Sequence, residues 1–367
     1  MGAINIDNTG SGGGITLSSD GTSLLLGGTA IGGSALELYA ENPSTPTAPS
    51  ATGTNAVAIG NNASSSNTLS VAIGHNSVAS NDYAFAIGAF TDATGERSLA
   101  LGYLAQAVTG QYATAISRSY ASGTDSFAAA IANNTSAYGA TGANSIAIGP
   151  FAKATGTEAI ALSGGYAQGV KSISIGSSSH ATSTYGCAVG YDTTAVGSAL
   201  ALGTTANAQA AYSTAIHRSK SSQQGKIAFS GIFFGAIGDA QGGSFVLVAD
   251  TTDATATVLT SNNGTASTTN QIVAASDTCI TFDGTITAMQ NGAQAYASWK
   301  IEGLLVNDGG TTTLANSATT VISNADGWGM ALSADNTNNA LAITCTGEAS
   351  HNIRWVANIR TTEVTYA

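Results

Sequence analysis

Between residues 57 and 217 the chain repeats one short pattern: a large aliphatic residue, Ala, a second large aliphatic and Gly, with small polar residues between copies. Val57-Ala58-Ile59-Gly60, Val71-Ala72-Ile73-Gly74, Phe85-Ala86-Ile87-Gly88 and Leu99-Ala100-Leu101-Gly102 stand 14 residues apart. Looser copies begin at Thr114, Ala129, Ile146, Ile160, Ile173, Cys187, Leu200 and Thr214, about twelve in all, and the interval drifts between 13 and 17. A second small cluster, such as Ala93-Thr94-Gly95 or Ala154-Thr155-Gly156, falls midway between many copies. Fourteen residues are too few for two helices and their turns. They suit two short strands with a turn after each, Gly supplying the positive φ of a tight corner. A fixed short period marks a solenoid, in which each unit needs its neighbours to bury its apolar face. The pattern therefore predicts a parallel β-roll of about twelve turns over residues 55–225. At about 4.8 Å per turn, this shaft would be roughly 55–60 Å long.

Along a strand the two aliphatics share one face and Ala takes the other. The expectation is a ladder of Ile, Leu and Val filling the interior of the roll, with a strip of Ala opposite it. A strip of Ala permits close approach, so Ala58, Ala72, Ala86, Ala100, Ala147 and Ala161 are candidates for contact with sister chains around a threefold axis. The alternative is that the same strip fits the lumen of a thin coil.

The flanks read differently. Residues 1–54 hold weak strand patterns, ITLSSDG, SLLLGG and ALELYAE, before a spacer with Pro43, Pro46 and Pro49 that reads as an extended linker. From Lys226 onward longer alternating segments begin, among them Lys226–Phe234, Thr278–Thr287, Ala295–Val306, Trp328–Ser333 and Ile353–Val364. Separated by NG, DG and GG turn signals, they predict an antiparallel sandwich or jelly roll over residues 226–367. The fold class is all-β throughout.

Composition narrows the function. Only 8% of residues are charged, about a third of the usual share. The net charge of −11 divides into −4 over residues 1–225 (six basic, ten acidic) and −7 over residues 226–367 (four basic, eleven acidic). Neither part suits a phosphate backbone or an anionic membrane surface. Cys187, Cys279 and Cys345 are an odd number without CxxC spacing, which argues for free thiols over a metal or redox motif. The start, MGAINIDNTG, has no basic and then apolar leader, and no apolar run of about 18 residues occurs. Synthesis in a cytoplasm without membrane insertion is the expectation.

The repeats VAIG at Val57, VAIG at Val71 and FAIG at Phe85 resemble the head of trimeric autotransporter adhesins, over about residues 55–217. That resemblance implies a left-handed parallel β-roll and a homotrimer. The leader, coiled-coil stalk and anchor barrel of those adhesins find no counterpart in this sequence, which turns the expectation from a bacterial surface towards a virus particle. The segments Gly238–Thr260, Ala297–Gly303 and Ala340–Val364 are similar to a C-terminal β domain of tailed-bacteriophage fibres, particularly those of aquatic and cyanobacterial hosts. ITLSSDGTSLLLGG resembles the short N-terminal pieces that fix such fibres to the virion. Tail fibre, head fibre and capsid decoration all fit these resemblances.

Candidate chemistry is sparse. Asp82, Asp92, Glu96, Asp125, Glu158 and Asp192 share no common repeat position, as a glycan-cleaving carboxylate pair on a groove would require. His75, His180, His217 and His351 are scattered, and no nucleotide-binding, hydrolase or calcium-loop motif is present. No enzyme, metal or cofactor is predicted. Binding has better support. Trp328 lies beside Gly in DGWG, where it would either stack on a sugar or pack in a core. Asn262, Asn307 and Asp308 lie in small polar segments suited to carbohydrate hydroxyls. The reading is a virion tail fibre that adsorbs to a host-surface glycan or protein through its C-terminal domain and joins other virion proteins through its N-terminal segment. Alternatives are a head fibre or decoration protein, a polysaccharide-degrading spike or a bacterial adhesin.

Overall fold

A computed structural model describes residues 47–132, 135–292 and 295–366, with the backbone of four short strands nearer the N-terminus. Those four, Ile4–Ile6, Ile15–Ser19, Leu24–Leu26 and Thr29–Ile31, form an antiparallel sheet in chain order. The ALELYAE segment and the Pro43 and Pro46 part of the expected linker lie outside the described residues.

From Ser50 the chain winds as a parallel β-solenoid. Each turn carries one three-residue or five-residue strand and one two-residue strand. The longer strands run from Val57–Ile59 to Ile227–Phe229 and the shorter ones from Ser50–Ala51 to Lys220–Ser221. Thirteen of each are stacked among the described residues. The register is in step: Val57 pairs with Val71, Val71 with Phe85, and Phe85 with Leu99. Corners are left-handed, and many are built by residues other than Gly, including Tyr83, Phe90 and Arg97 at φ near 56°. Their strain is offset because the backbone N–H at each corner donates to the preceding turn, as Tyr83 does to the Thr68 carbonyl at 2.9 Å. The Gly after each early long strand has a steric cause. A Cβ on Gly74, at φ 131°, would lie 2.2 Å from the Gly88 carbonyl oxygen of the next turn.

Two expectations shift. The sixth turn uses Phe127–Ala129, which pairs with Thr114–Ile116 and Ile146–Ile148, and not the copy beginning at Ala129. Ser126 and Ala128 are thereby buried in the lumen, and the spacing of 19 between Phe127 and Ile146 is longer than the usual turn, with Ile131 fully buried in the extra segment. The shaft also continues past Gly225, since Ile227–Phe229 pairs in parallel with Thr214–Ile216.

That last strand then pairs antiparallel with Gly242–Ser244, so the sheet passes without a break from shaft to tip. The tip holds a five-stranded antiparallel sheet in the order Ala240–Thr251, Ile353–Thr365, Thr278–Gln290, Tyr296–Asp308 and Thr311–Asn324. A smaller sheet centres on Ala340–Thr346, with Gly329–Asp335 on one side and Thr257–Val258 and Ile272–Val273 on the other. Between the two sheets lies an apolar core of Phe245, Leu247, Ile280, Phe282, Trp299, Ile301, Trp328, Ile343, Trp355 and Ile359. Trp299 stacks on Trp355 at 5.6 Å and 21°.

Candidate functional site

The solenoid's faces are the reverse of the expected arrangement. Ala72, Ala86, Ala100, Ala147 and Ala161 are completely buried inside a single chain, and Ala58 at the shaft's first turn is half-buried. They face Ala and Ser from the short strand of the same turn, such as Ala79, Ala93 and Ala107. Two strands joined by two tight corners leave a lumen filled mainly by Ala, Ser and Thr. Many of its hydroxyls are satisfied within the turn: Ser98, Ser145 and Ser172 donate to the carbonyls of Gly95, Gly142 and Gly169 at 2.6–2.7 Å, whereas the buried hydroxyls of Ser126 and Thr193 have no such partner. These alanines are therefore unavailable to a sister chain.

What a sister chain could reach is the aliphatic ladder. Val57, Phe85, Leu101 and Ile148 are each 40–42% exposed, and Ile73, Ile87 and Ile160 in the same columns are half-buried. Two columns of mostly large apolar side chains thus run along one face of the rod, interrupted by Thr114, Thr214 and Ala129. The opposite face, formed by the outward residues of the short strands, is mainly polar: Ser64, Asp92, Gln106, Lys153, His180, Thr194, Asn207 and Lys220. A long exposed apolar stripe along one face of a rod marks an interaction surface.

Four of the six carboxylates of the shaft are engaged from turn to turn, while Asp125 and Asp192 are exposed. Asp82 accepts from the Thr68 N–H at 3.0 Å, Asp92 from the Gln106 amide at 3.1 Å, and Glu96 from Gln111 at 2.7 Å, while Glu158 pairs with Lys171 at 3.7 Å. Histidines are likewise apart. His75 contacts Asn61, Asn76 and the Phe90 ring, His180 lies edge-on to Tyr166, and His351 faces Glu348. Among the described residues no three His, Cys, Asp or Glu side chains are placed to hold a metal.

In the tip the candidate residues do not converge. Trp328 is a core residue, 3% exposed and 5.8 Å from the Trp355 ring, so it offers no face to a sugar. Asn307 is also buried. Its amide donates to the Ala274 carbonyl at 2.8 Å and its oxygen accepts from the Gly310 N–H, shaping the hairpin. Asn262 is exposed, but its amide reaches Gln224 at 3.1 Å and its oxygen accepts from Asn270 and Gly264, which ties its loop to the shaft's end. Asp308 stands free at the hairpin's turn. Cys345 is buried, donates to the Thr257 carbonyl at 3.3 Å, and has its pKa pushed up to about 12 by burial. All three cysteines are free.

Two tip features escaped the sequence. One is an open hollow of about 1000 Å³ at one end of the large sheet, lined by Asp250, Thr287, Met289, Asn291, Arg354 and Val356. Its residues are the outward ones of strands whose alternation was legible, yet their convergence depends on the order of the strands. The other is the junction. Lys226 of the last solenoid turn and Glu363 of the last strand form a buried pair at 2.6 Å, 3% and 7% exposed, and Glu363 also accepts from Gln241 and Thr361. Beside it Asp239 takes the backbone N–H groups of Phe234, Gly235 and Ala236. Burial raises its carboxyl, but these bonds outweigh that and hold it below the usual carboxylate range.

A family model for the YadA head domain repeat matches residues 51–68, 65–91, 93–116, 140–162, 167–198 and 197–216, so most of the shaft is built of repeats of that kind. Among solved structures, the chain is similar to the tailspike protein gp49 from Acinetobacter baumannii bacteriophage Fri1, a capsular polysaccharide depolymerase, at 9% identity and a TM-score of 0.23. The match covers 83% of this chain and 46% of that one. No curated protein matches.

Proposed function

We propose that a chain whose shaft is built of adhesin-type head repeats serves as the structural fibre of a virion, a tail fibre that assembles as a homotrimer and adsorbs to a host-cell surface. The observation that carries this reading is the aliphatic ladder. Each thin coil has its lumen filled mainly by Ala, Ser and Thr, leaving two columns made mostly of Val, Ile, Leu and Phe that three identical rods would bury against one another. The polar short-strand faces then turn outward. The tip, continuous with the shaft sheet and held by Lys226 and Glu363, is presented at the end of a stiff rod. Three tips on one rod bind with avidity even where each contact is weak. Four of the six carboxylates of the shaft are held in turn-to-turn contacts, which favours adsorption over cleavage.

Sedimentation of the purified chain tests the assembly. The expected mass is three times 36.1 kDa, about 108 kDa, for the native protein. Leu101→Asp with Ile148→Asp should release folded monomers, whereas a monomeric native chain defeats the proposal. Immunogold labelling of virions tests the place: label at the tail is expected, and label on the capsid would overturn the tail assignment.

A further inference from the structure

On the polar face of the shaft, three successive turns open a groove of about 580 Å³. The corner that follows the long strand carries Phe151 in one turn, Gly164 in the next and Ser178 in the third. Gly164, at φ 82°, has no side chain, so a notch separates Phe151 from Ser178. Beside the notch the outward residues of three neighbouring short strands, Lys153, Tyr166 and His180, stand in register. The rings are braced against one another. Tyr138 meets Phe151 edge-on at 5.4 Å and Tyr166 meets His180 at 5.8 Å. The Lys153 ammonium lies 4.6 Å from the centre of the Tyr166 ring.

We propose that this groove binds an acidic saccharide, one whose sugar rings carry carboxylates. Aromatic faces are electron-rich and complement the C–H face of a pyranose, and Phe151, 55% exposed, together with the half-buried Tyr138 provides such faces, while the Tyr166 ring holds the Lys153 ammonium at the groove. Three turns span about 10 Å at a rung spacing of about 4.8 Å, enough for a short run of linked sugars. Serine hydroxyls at Ser163, Ser177 and Ser178 line the same groove and can both donate to and accept from sugar hydroxyls. The charge selects the class. No carboxylate lines the groove, and among the described residues Lys153 has no ion-pair partner, although the chain as a whole carries −11. An ammonium held over the Tyr166 ring but matched by no carboxylate favours an anionic sugar over a neutral one. The inference rests on the proposed assembly in one respect, that the short-strand face is the one left uncovered.

Calorimetric titration of the full-length protein with oligogalacturonate and oligomannuronate, against maltohexaose as the neutral control, is the test. Saturable binding of at least one uronate oligomer is expected, weaker by about tenfold in Tyr166→Ala and in Phe151→Ala. Lys153→Gln should bring the uronate down to the level of the neutral sugar. No saturable heat with either uronate, or unchanged affinity in both aromatic variants, overturns the proposal. Sedimentation of the same samples separates the two readings. A trimer that binds no uronate removes the groove alone, and a monomer that binds removes the assembly alone.

Discussion

Shaft and tip solve the same problem in opposite ways. The tip encloses its large apolar side chains, with Trp299, Trp328 and Trp355 packed between two sheets. Apart from Ile131 in the extra segment, the shaft encloses mainly Ala, Ser and Thr in its lumen and leaves Val57, Phe85, Leu101 and Ile148 on its surface. The difference follows from spacing. Two sheets packed face to face lie about 10 Å apart, room for interdigitated indoles, whereas a coil closed by two tight corners brings its strands too close for anything beyond a methyl or hydroxymethyl group. A tip can therefore be stable as one chain, while a shaft of this composition keeps a surplus of apolar surface for assembly.

Substitutions on each side sharpen that contrast. Trp355→Ala should destabilise the tip by about 3–5 kcal/mol, since the ring is fully buried, stacks on Trp299, packs tilted against Trp328 and donates to Thr251 at 3.0 Å. All three tryptophans lie in the tip, so their fluorescence reports its unfolding in urea while far-ultraviolet dichroism follows the shaft. Equal movement of both transitions would dissolve the contrast. At the junction, Glu363→Ala leaves the Lys226 ammonium buried without its partner and should cost about 3–5 kcal/mol. Lys226→Met combined with Glu363→Leu should recover most of that loss, and if the double variant is as unstable as the single one, the pair's buried charge is not the cause. The smallest effect is in the lumen. Ala100→Leu overfills the coil, and a loss of about 1–3 kcal/mol in the shaft transition is expected with the tryptophan signal unmoved. A neutral result would mean that the lumen can widen.

Much of the architecture was legible because parallel rungs require in-register pairing, and register shows as period. Val57, Val71, Phe85 and Leu99 pair along the rod as their spacing implied. The sixth turn was misplaced by two residues because Ala129-Ala130-Ile131 imitates the pattern, while the structure closes on Phe127–Ala129. The strand Thr311–Asn324 escaped notice for a related reason. From Ala315 to Ile322 it is exposed on both faces, so it lacks the alternation that marks a half-buried strand. Of the tip candidates, Trp328 and Asn307 proved to be structural. An indole in a core and an indole on a surface have the same sequence neighbourhood, and only the opposing sheet distinguishes them.

The sequence by itself determined the repeat, its strands, its parallel coil and the change of architecture near the shaft's end, because local spacing and alternation encode hydrogen-bond register and turn position. Only the tertiary structure decided which face of each strand is inside, because that depends on the width of the coil and not on the order of its residues. The pairing of Lys226 with Glu363, 137 residues apart, and the notch at Gly164 likewise come from which turns and strands the fold sets side by side.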